Sequence, residues 1–194
     1  MRRPHLFAGI CMAPLLWSSA AFAQWTLEPA SSSLAFTSVK NQTIAEHHSA
    51  KQFTASVSDA GALTGSVDLT QLDTNIEVRD ERLRTMLFET EQFSSATITG
   101  NIDPALLTAK TGSVTTIETT LNLTLHGKTQ SLPAKLSVAR LDESQLLVST
   151  LTPIMVNAAD FALAEGVEKL REVAGLSSIA VSVPVTGVWL FQKD

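Results

Sequence analysis

The run Ile117–Leu125, "IETTLNLTL", alternates without a break. Ile117, Thr119, Leu121, Leu123 and Leu125 fall on one side, and Glu118, Thr120, Asn122 and Thr124 on the other. Alternation of this kind is the mark of a strand with one dry face. "HGKTQ" (His126–Gln130) reads as a glycine-containing loop, and the alternation resumes through Leu132, Ala134, Leu136 and Val138, which makes a β-hairpin. Six further runs carry strand patterning: Ser33–Lys40, Gln52–Ser58, Ala62–Thr70, Ala96–Ile102, Leu146–Ile154 and Ser178–Phe191. Gly61, Gly65, Gly100, Gly112 and Pro153 punctuate them. An open sheet of this size would expose two unpaired edges, which closure removes. The expected fold is therefore all-β: a single antiparallel eight-stranded barrel, with room inside for side chains or one small ligand.

Two segments depart from period two. In "LAEGVEKLREVA" (Leu163–Ala174), Leu163, Val167, Leu170 and Ala174 recur at helical spacing, with Asp160 as N-cap and Gly175 just past the end. The second is "LDTNIEVRDERLRTMLF" (Leu72–Phe88), with Arg79, Arg82 and Arg84 interleaved with Glu77, Asp80 and Glu81. Thr74 and Glu77 have the spacing of a capping box. A helix starting there puts Ile76, Asp80, Leu83 and Leu87 on one stripe, so Asp80 falls among apolar residues. A carboxylate in that position needs a partner. Arg84 lies four residues on, and three after Glu81, within pairing reach of both. The run then reads as a short helix closing one barrel end, its ions (Asp80, Arg84, Arg79) fixing the pose. Alternatives are an arginine clamp on a polar head group and a catalytic cluster. Against the last, no nucleophile lies beside the run, and arginine stays protonated and is a poor base.

The start of the chain carries an address. Arg2 and Arg3 precede the apolar "LFAGICMAPLLW", and Ala21-Phe22-Ala23 supplies a small-x-small cleavage pattern, so residues 1–23 read as a signal peptide cut after Ala23. Export through the Sec route to the periplasm is the expectation, with residues 24–194 as one domain. The only cysteine, Cys11, lies in the leader, so the rest must fold by burial alone. Loss of Arg2 and Arg3 makes the remainder more acidic than the whole-chain net charge of −5. An acidic balance argues against nucleic acid and anionic membrane as partners. Beyond the leader no apolar run approaches the roughly 20 residues of a membrane-spanning helix.

The run Leu72–Ile102, "LDTNIEVRDERLRTMLFETEQFSSATITGNI", resembles the signature of the YceI-like family, approximately D-T-x-x-x-x-R-D-x-x-L-R-S-x-x-F-F-x-x-x-x-Y-P-x-A-T. Asp73, Thr74, Arg79, Asp80, Leu83, Arg84, Phe88, Ala96 and Thr97 match it; Thr85 stands for the usual serine and "QFSSAT" for "YPxAT". "LTLHGKTQSLPAKL" (Leu123–Leu136) is similar to the family's hairpin, and "WTLEPASSSLAFTSVK" and "VSVPVTGVWL" are similar to its first and last strands. The resemblance implies a periplasmic, lipocalin-like barrel whose apolar lumen holds a long-chain molecule, typically isoprenoid or fatty. "NQTIAEHHSAKQF" (Asn41–Phe53) and "FALAEGVEKLREVAGL" depart from the best-known members, as loops and a helix shaping the mouth.

Inward parity nominates Phe36, Phe53, Val67, Leu69, Ile98, Leu121, Leu123, Leu136, Ile179, Val181 and Val183 as lumen residues, against the plainer reading that they fill a solid core. An apolar tail gains roughly 0.8 kcal/mol per methylene enclosed, so about ten methylenes offset a typical association cost. His47, His48 and His126 raise a metal or haem site. Adjacent strand residues face opposite ways, however, and surface-loop histidines are the simpler reading. No G-x-S-x-G, phosphate loop or acid/base pair stands out. The chain thus reads as a non-enzymatic binding protein without metal or cofactor. Its partner would be an apolar long-chain molecule such as an isoprenoid, quinone-like or fatty-acyl compound. The alternative is a filled-barrel accessory module acting on an envelope or membrane redox partner. A homodimer stays open.

Overall fold

The computed structural model describes residues 24–194; the leader and cleavage after Ala23 that the sequence leads one to expect lie outside the described residues. Twelve strands follow in order: β1 (Gln24–Leu27), β2 (Ser33–Lys40), β3 (Ile44–Ala50), β4 (Phe53–Ser58), β5 (Ala62–Asp68), β6 (Leu72–Asp73), β7 (Ser95–Asn101), β8 (Val114–Leu125), β9 (Lys128–Arg140), β10 (Gln145–Thr150), β11 (Ile154–Asn157) and β12 (Ser182–Lys193). Helix α1 (Glu77–Arg82) runs into a π-helical turn, Leu83–Leu87, and α2 (Ala164–Val173) precedes β12.

The twelve segments form eight long antiparallel strands. β1 and β2 both pair with β12, as do β10 and β11, so each couple is one strand interrupted along the length of β12. β3 pairs β2 while β4 pairs β1, and β6 pairs β3 while β5 pairs β4. β7, β8 and β9 complete the circuit, with every strand beside its sequence neighbours. Trp25 opposite Lys193 and Phe36 opposite Val185 close it. The expected eight-stranded closed barrel is the fold observed.

Both interruptions beside β12 coincide with a proline, which cannot donate to a ladder. After β1, Pro29 starts a 3-10 turn, and the Leu190 amide instead donates to the Ser32 hydroxyl at 2.9 Å. After β10, Pro153 breaks the strand, and the Gly187 amide donates to the Thr150 hydroxyl at 3.2 Å. The backbone groups that the breaks would orphan are thereby satisfied.

Three local readings change. The loop expected at His126–Gln130 is a two-residue turn: His126 (φ 50°) and Gly127 (φ 71°) both take positive φ, and Leu125 already faces Lys128. Positive φ at both central residues suits the right-handed twist of the flanking strands. "NQTIAEHHSAKQF" is not a loop, since most of it is β3 and the start of β4, with His48 opposite Phe36 and His47 opposite Thr37. Charged and imidazole side chains on one face hid the alternation there. Finally, Asp160 does not cap α2. It lies in the 3-10 turn Ala158–Phe161, capped by Asn157, while Leu163 takes the N-cap place. Gly175 does follow the end of α2, at φ 64°, with its amide on the Glu172 carbonyl at 3.0 Å.

The two barrel ends differ. At one, Trp25, Leu107, Leu146 and Phe191 are buried together, and Arg140 lies over the Trp25 ring at 4.6 Å while donating to the Leu107 carbonyl. Both described chain ends meet at this end, the Asp194 amide donating to the Gln24 carbonyl at 2.9 Å. The other end carries α1, α2 and the β2–β3 and β8–β9 turns. There α2 seats against the π-helical turn with Gly166 at the contact: a β-carbon on it would lie 3.0 Å from Leu87 Cδ1 and from the Met86 carbonyl oxygen.

Candidate functional site

Inward-facing side chains from every part of the barrel do not meet in the middle. They enclose a cavity of about 620 Å³, within the range that holds a small organic ligand, about 300–1,000 Å³. Phe36, Phe53, Val67, Leu69, Ile98, Leu121, Leu123, Leu136, Ile179 and Val183 line it. Val181 does not: its side chain is 43% exposed. Strict alternation holds only within a continuous strand, and β12 begins at Ser182. Ile179 forms an isolated bridge to Lys40, and Val181 sits at a bend between the two, its carbonyl accepting the Ala158 amide at 2.8 Å. The bend turns Val181 alone outward, since Ile179 before it and Val183 after it both line the cavity.

Parity counting over clean strands missed part of the wall. Leu34, Leu63, Val148 and Trp189 also line the cavity, and the same alternation in their own strands would have found them. The helices supply the rest. Leu83 and Leu87 come from the stripe expected after Thr74, and Val167, Leu170 and Ala174 from the stripe of α2. Trp25 and Leu107 reach the cavity at the buried end, whereas Ile76 and Val78 line it while remaining 45% and 58% exposed. The mouth therefore lies beside α1.

The charged run is arranged differently from its expected pairing. Asp80 does not meet Arg84. One of its oxygens accepts the Thr74 amide at 3.0 Å and the Thr74 hydroxyl proton. Arg84 instead donates to Glu81 at 2.8 Å on the outer side. The capping box does not form either, because Asn75 takes φ 62° and the helix starts two residues late, with Ile76 at the N-cap. Thr74, only 3% exposed, is thus the hub. Its hydroxyl also accepts from Arg79 Nε at 2.8 Å, and its carbonyl accepts from Arg79 Nη2. Arg79 Nη1 then donates to Glu46 on β3 at 2.8 Å, and Lys40 on β2 reaches the same oxygen at 3.0 Å. The hydrogen bond from Lys40, with Arg79 adding to it, holds the Glu46 carboxyl below the usual carboxylate range. Outside this chain, Lys51 hydrogen-bonds Asp73 at 2.8 Å and lowers its carboxyl likewise.

The histidines separate. His47 faces outward, with Nδ1 2.8 Å from the Thr37 hydroxyl. His48 faces inward, 6% exposed, lines the cavity, and has Nε2 2.9 Å from the Ser38 hydroxyl and its ring 5.2 Å from that of Phe36. Burial, reinforced by the Arg79 cation, pushes its pKa below the ordinary value, so the ring is neutral near pH 7. Its Nδ1 is buried without a partner among the described residues. His126 lies elsewhere, 3.2 Å from Glu89 and packed on Phe93. Among the described residues no group of three potential metal ligands occurs, and no helix is long and apolar enough to cross a membrane.

A closed antiparallel barrel with an apolar interior cavity and a helix-flanked mouth defines a lipocalin-like architecture. Residues 25–187 match the YceI-like domain, and the chain belongs to that family. Among solved structures, a polyisoprenoid-binding domain from Saccharophagus degradans implicated in plant cell wall breakdown is similar at 32% identity and a TM-score of 0.84. The match covers 88% of this chain and 98% of that one. BcnA of Burkholderia cenocepacia shares the fold at 17% identity and a TM-score of 0.67, over 84% of this chain and 98% of that one. None of the curated proteins compared matches the chain.

Proposed function

We propose that this chain is an exported, periplasmic binding protein that holds one apolar long-chain molecule, isoprenoid, quinone-like or fatty-acyl, inside the barrel for transport, storage or sequestration. The observation that carries the reading is the cavity itself, walled by aliphatic and aromatic side chains and open beside α1. The similarity to a polyisoprenoid-binding domain supports the ligand class. Ten of the nominated residues, from Phe36 to Val183, are the binding wall in this reading. Binding rests on enclosing apolar surface, at roughly 0.8 kcal/mol per methylene, and asks no bond-making of the protein.

The test is native mass spectrometry of the protein recovered from periplasm, followed by solvent extraction and identification of what is released. A stoichiometric prenyl or acyl species supports the carrier. A protein that is empty, and stays empty after incubation with quinones and fatty amides, favours an accessory module working through its mouth loops.

A further inference from the structure

The cavity is not uniformly apolar. Its polar lining is concentrated where β2, β3 and α1 meet: Ser38, Lys40, Glu46, His48, Arg79 and Arg82. Two features of this corner are unsatisfied within the protein. Lys40 and Arg79 share one carboxylate oxygen of Glu46, and Arg82, partly buried on the cavity wall, makes no ion pair among the described residues. His48 presents a second unmet demand, its Nδ1 buried and unpaired. Buried polar atoms in folded proteins nearly always have partners, and an exception calls for a missing one. The corner therefore holds three cations, Lys40, Arg79 and Arg82, against the two carboxylates of Glu46 and Asp80, in a chain whose net charge is −5.

We infer that this corner is a head-group site, and that the preferred ligand is an apolar chain ending in an anionic oxygen group, carboxylate or phosphate, paired with Arg82 at the mouth. The inference rests on the carrier reading and adds polarity to it: the tail runs toward Trp25 and the head stays between β2, β3 and α1. Guanidinium matches carboxylate and phosphate through paired donors, and such bonds are stronger than neutral ones. Lys40 and His48 line the same cavity. Arg79, tied to Thr74 and Glu46, is the scaffold rather than the contact.

The experiment compares tails that differ only at the head. Hexadecanoate and hexadecanol, and farnesyl monophosphate and farnesol, are titrated against the protein loaded with the neutral fluorophore N-phenyl-1-naphthylamine. Expected is on the order of tenfold tighter binding of the charged member of a pair, shrinking with added salt. Arg82→Gln should reduce the gap to about twofold without weakening the alcohol, and Arg82→Lys should restore part of it. The pair with the larger gap tells a carboxylate head from a phosphate one, and either supports the site. Equal affinity of acid and alcohol in the unaltered protein overturns the inference while leaving the carrier intact, as does a gap that persists in Arg82→Gln. Failure of fluorophore and of all four tails to bind overturns both.

Discussion

Arg79 and Glu46, 33 residues apart in sequence, meet at 2.8 Å and tie the first turn of α1 to β3. The same arginine holds Thr74 by its hydroxyl and its carbonyl, and Thr74 in turn is held by Asp80. The helix at the mouth is thereby pinned to the barrel wall through polar contacts.

Removing Asp80 should therefore destabilise the fold more than removing Arg84, although both belong to the same charged run. Asp80→Ala strands the Thr74 amide and hydroxyl in a buried place, a cost of about 1–3 kcal/mol. Arg84→Ala loses only an outer pair with Glu81, worth under about 1 kcal/mol. Urea unfolding midpoints of the two variants, at equal slope, check the order. A larger loss in Arg84→Ala would count against Thr74 as the hub.

His48 makes stability depend on pH in a definite direction. Its folded pKa lies below the ordinary 6.5, so near and below that pH the unfolded chain binds the extra proton first. The contribution is complete above about pH 6.5 and is lost as the pH falls toward the folded value. Thermal midpoints should drop between pH 7 and 5 in the unaltered protein and drop less in His48→Gln. Identical slopes in the two proteins would place the titration elsewhere. Glu46, with its carboxyl held low, adds a further loss only at more acid pH, below its ordinary 4.5.

Filling the cavity should separate folding from binding. Leu121→Trp puts an indole into the wall opposite Gly100, whose position already lies close to Leu121 Cδ2. Ligand retention should fall by at least tenfold, with the far-ultraviolet spectrum unchanged and a stability cost of about 1–3 kcal/mol from overpacking. Val181→Trp, on the outer surface, should leave retention as it is. Loss of retention in Val181→Trp would refute the outward placement.

Gly166→Ala tests the seat of α2. Alanine favours a helix over glycine by about 1 kcal/mol, yet here its methyl group meets Leu87 and the Met86 carbonyl at 3.0 Å. Crowding should win, lowering the thermal midpoint by a few degrees and loosening the mouth. A raised midpoint would mean that the π-helical turn gives way.

Much of this architecture was legible because alternation is a local signal. The alternation marks Ser33–Lys40 to the residue, and the inward parity of unbroken strands coincides with the cavity wall. Legibility failed where the answer depends on a distant partner. β3 is hidden in the sequence because Glu46 and His48 look like loop residues until Arg79, Lys40 and Ser38 are beside them. Helical spacing offers Asp80 the wrong partner, Arg84, whereas a left-handed Asn75 brings Thr74 back over it. Val181 departs for a smaller reason: a bend just before Ser182 turns that one residue outward, while Ile179 and Val183 on either side of it still face the cavity.

The pairing of Trp25 with Lys193 places the two ends of the described chain side by side at the end opposite α1. A tether, dye or affinity tag attached at residue 194 therefore points away from the opening. Immobilised by that residue, the protein would present its mouth to solution with every molecule oriented alike, a geometry suited to capturing hydrophobic cargo on a surface. Joining the two ends by a short linker and reopening the chain at Gly112, where a side chain would meet nothing within 4 Å, should likewise leave the chamber undisturbed.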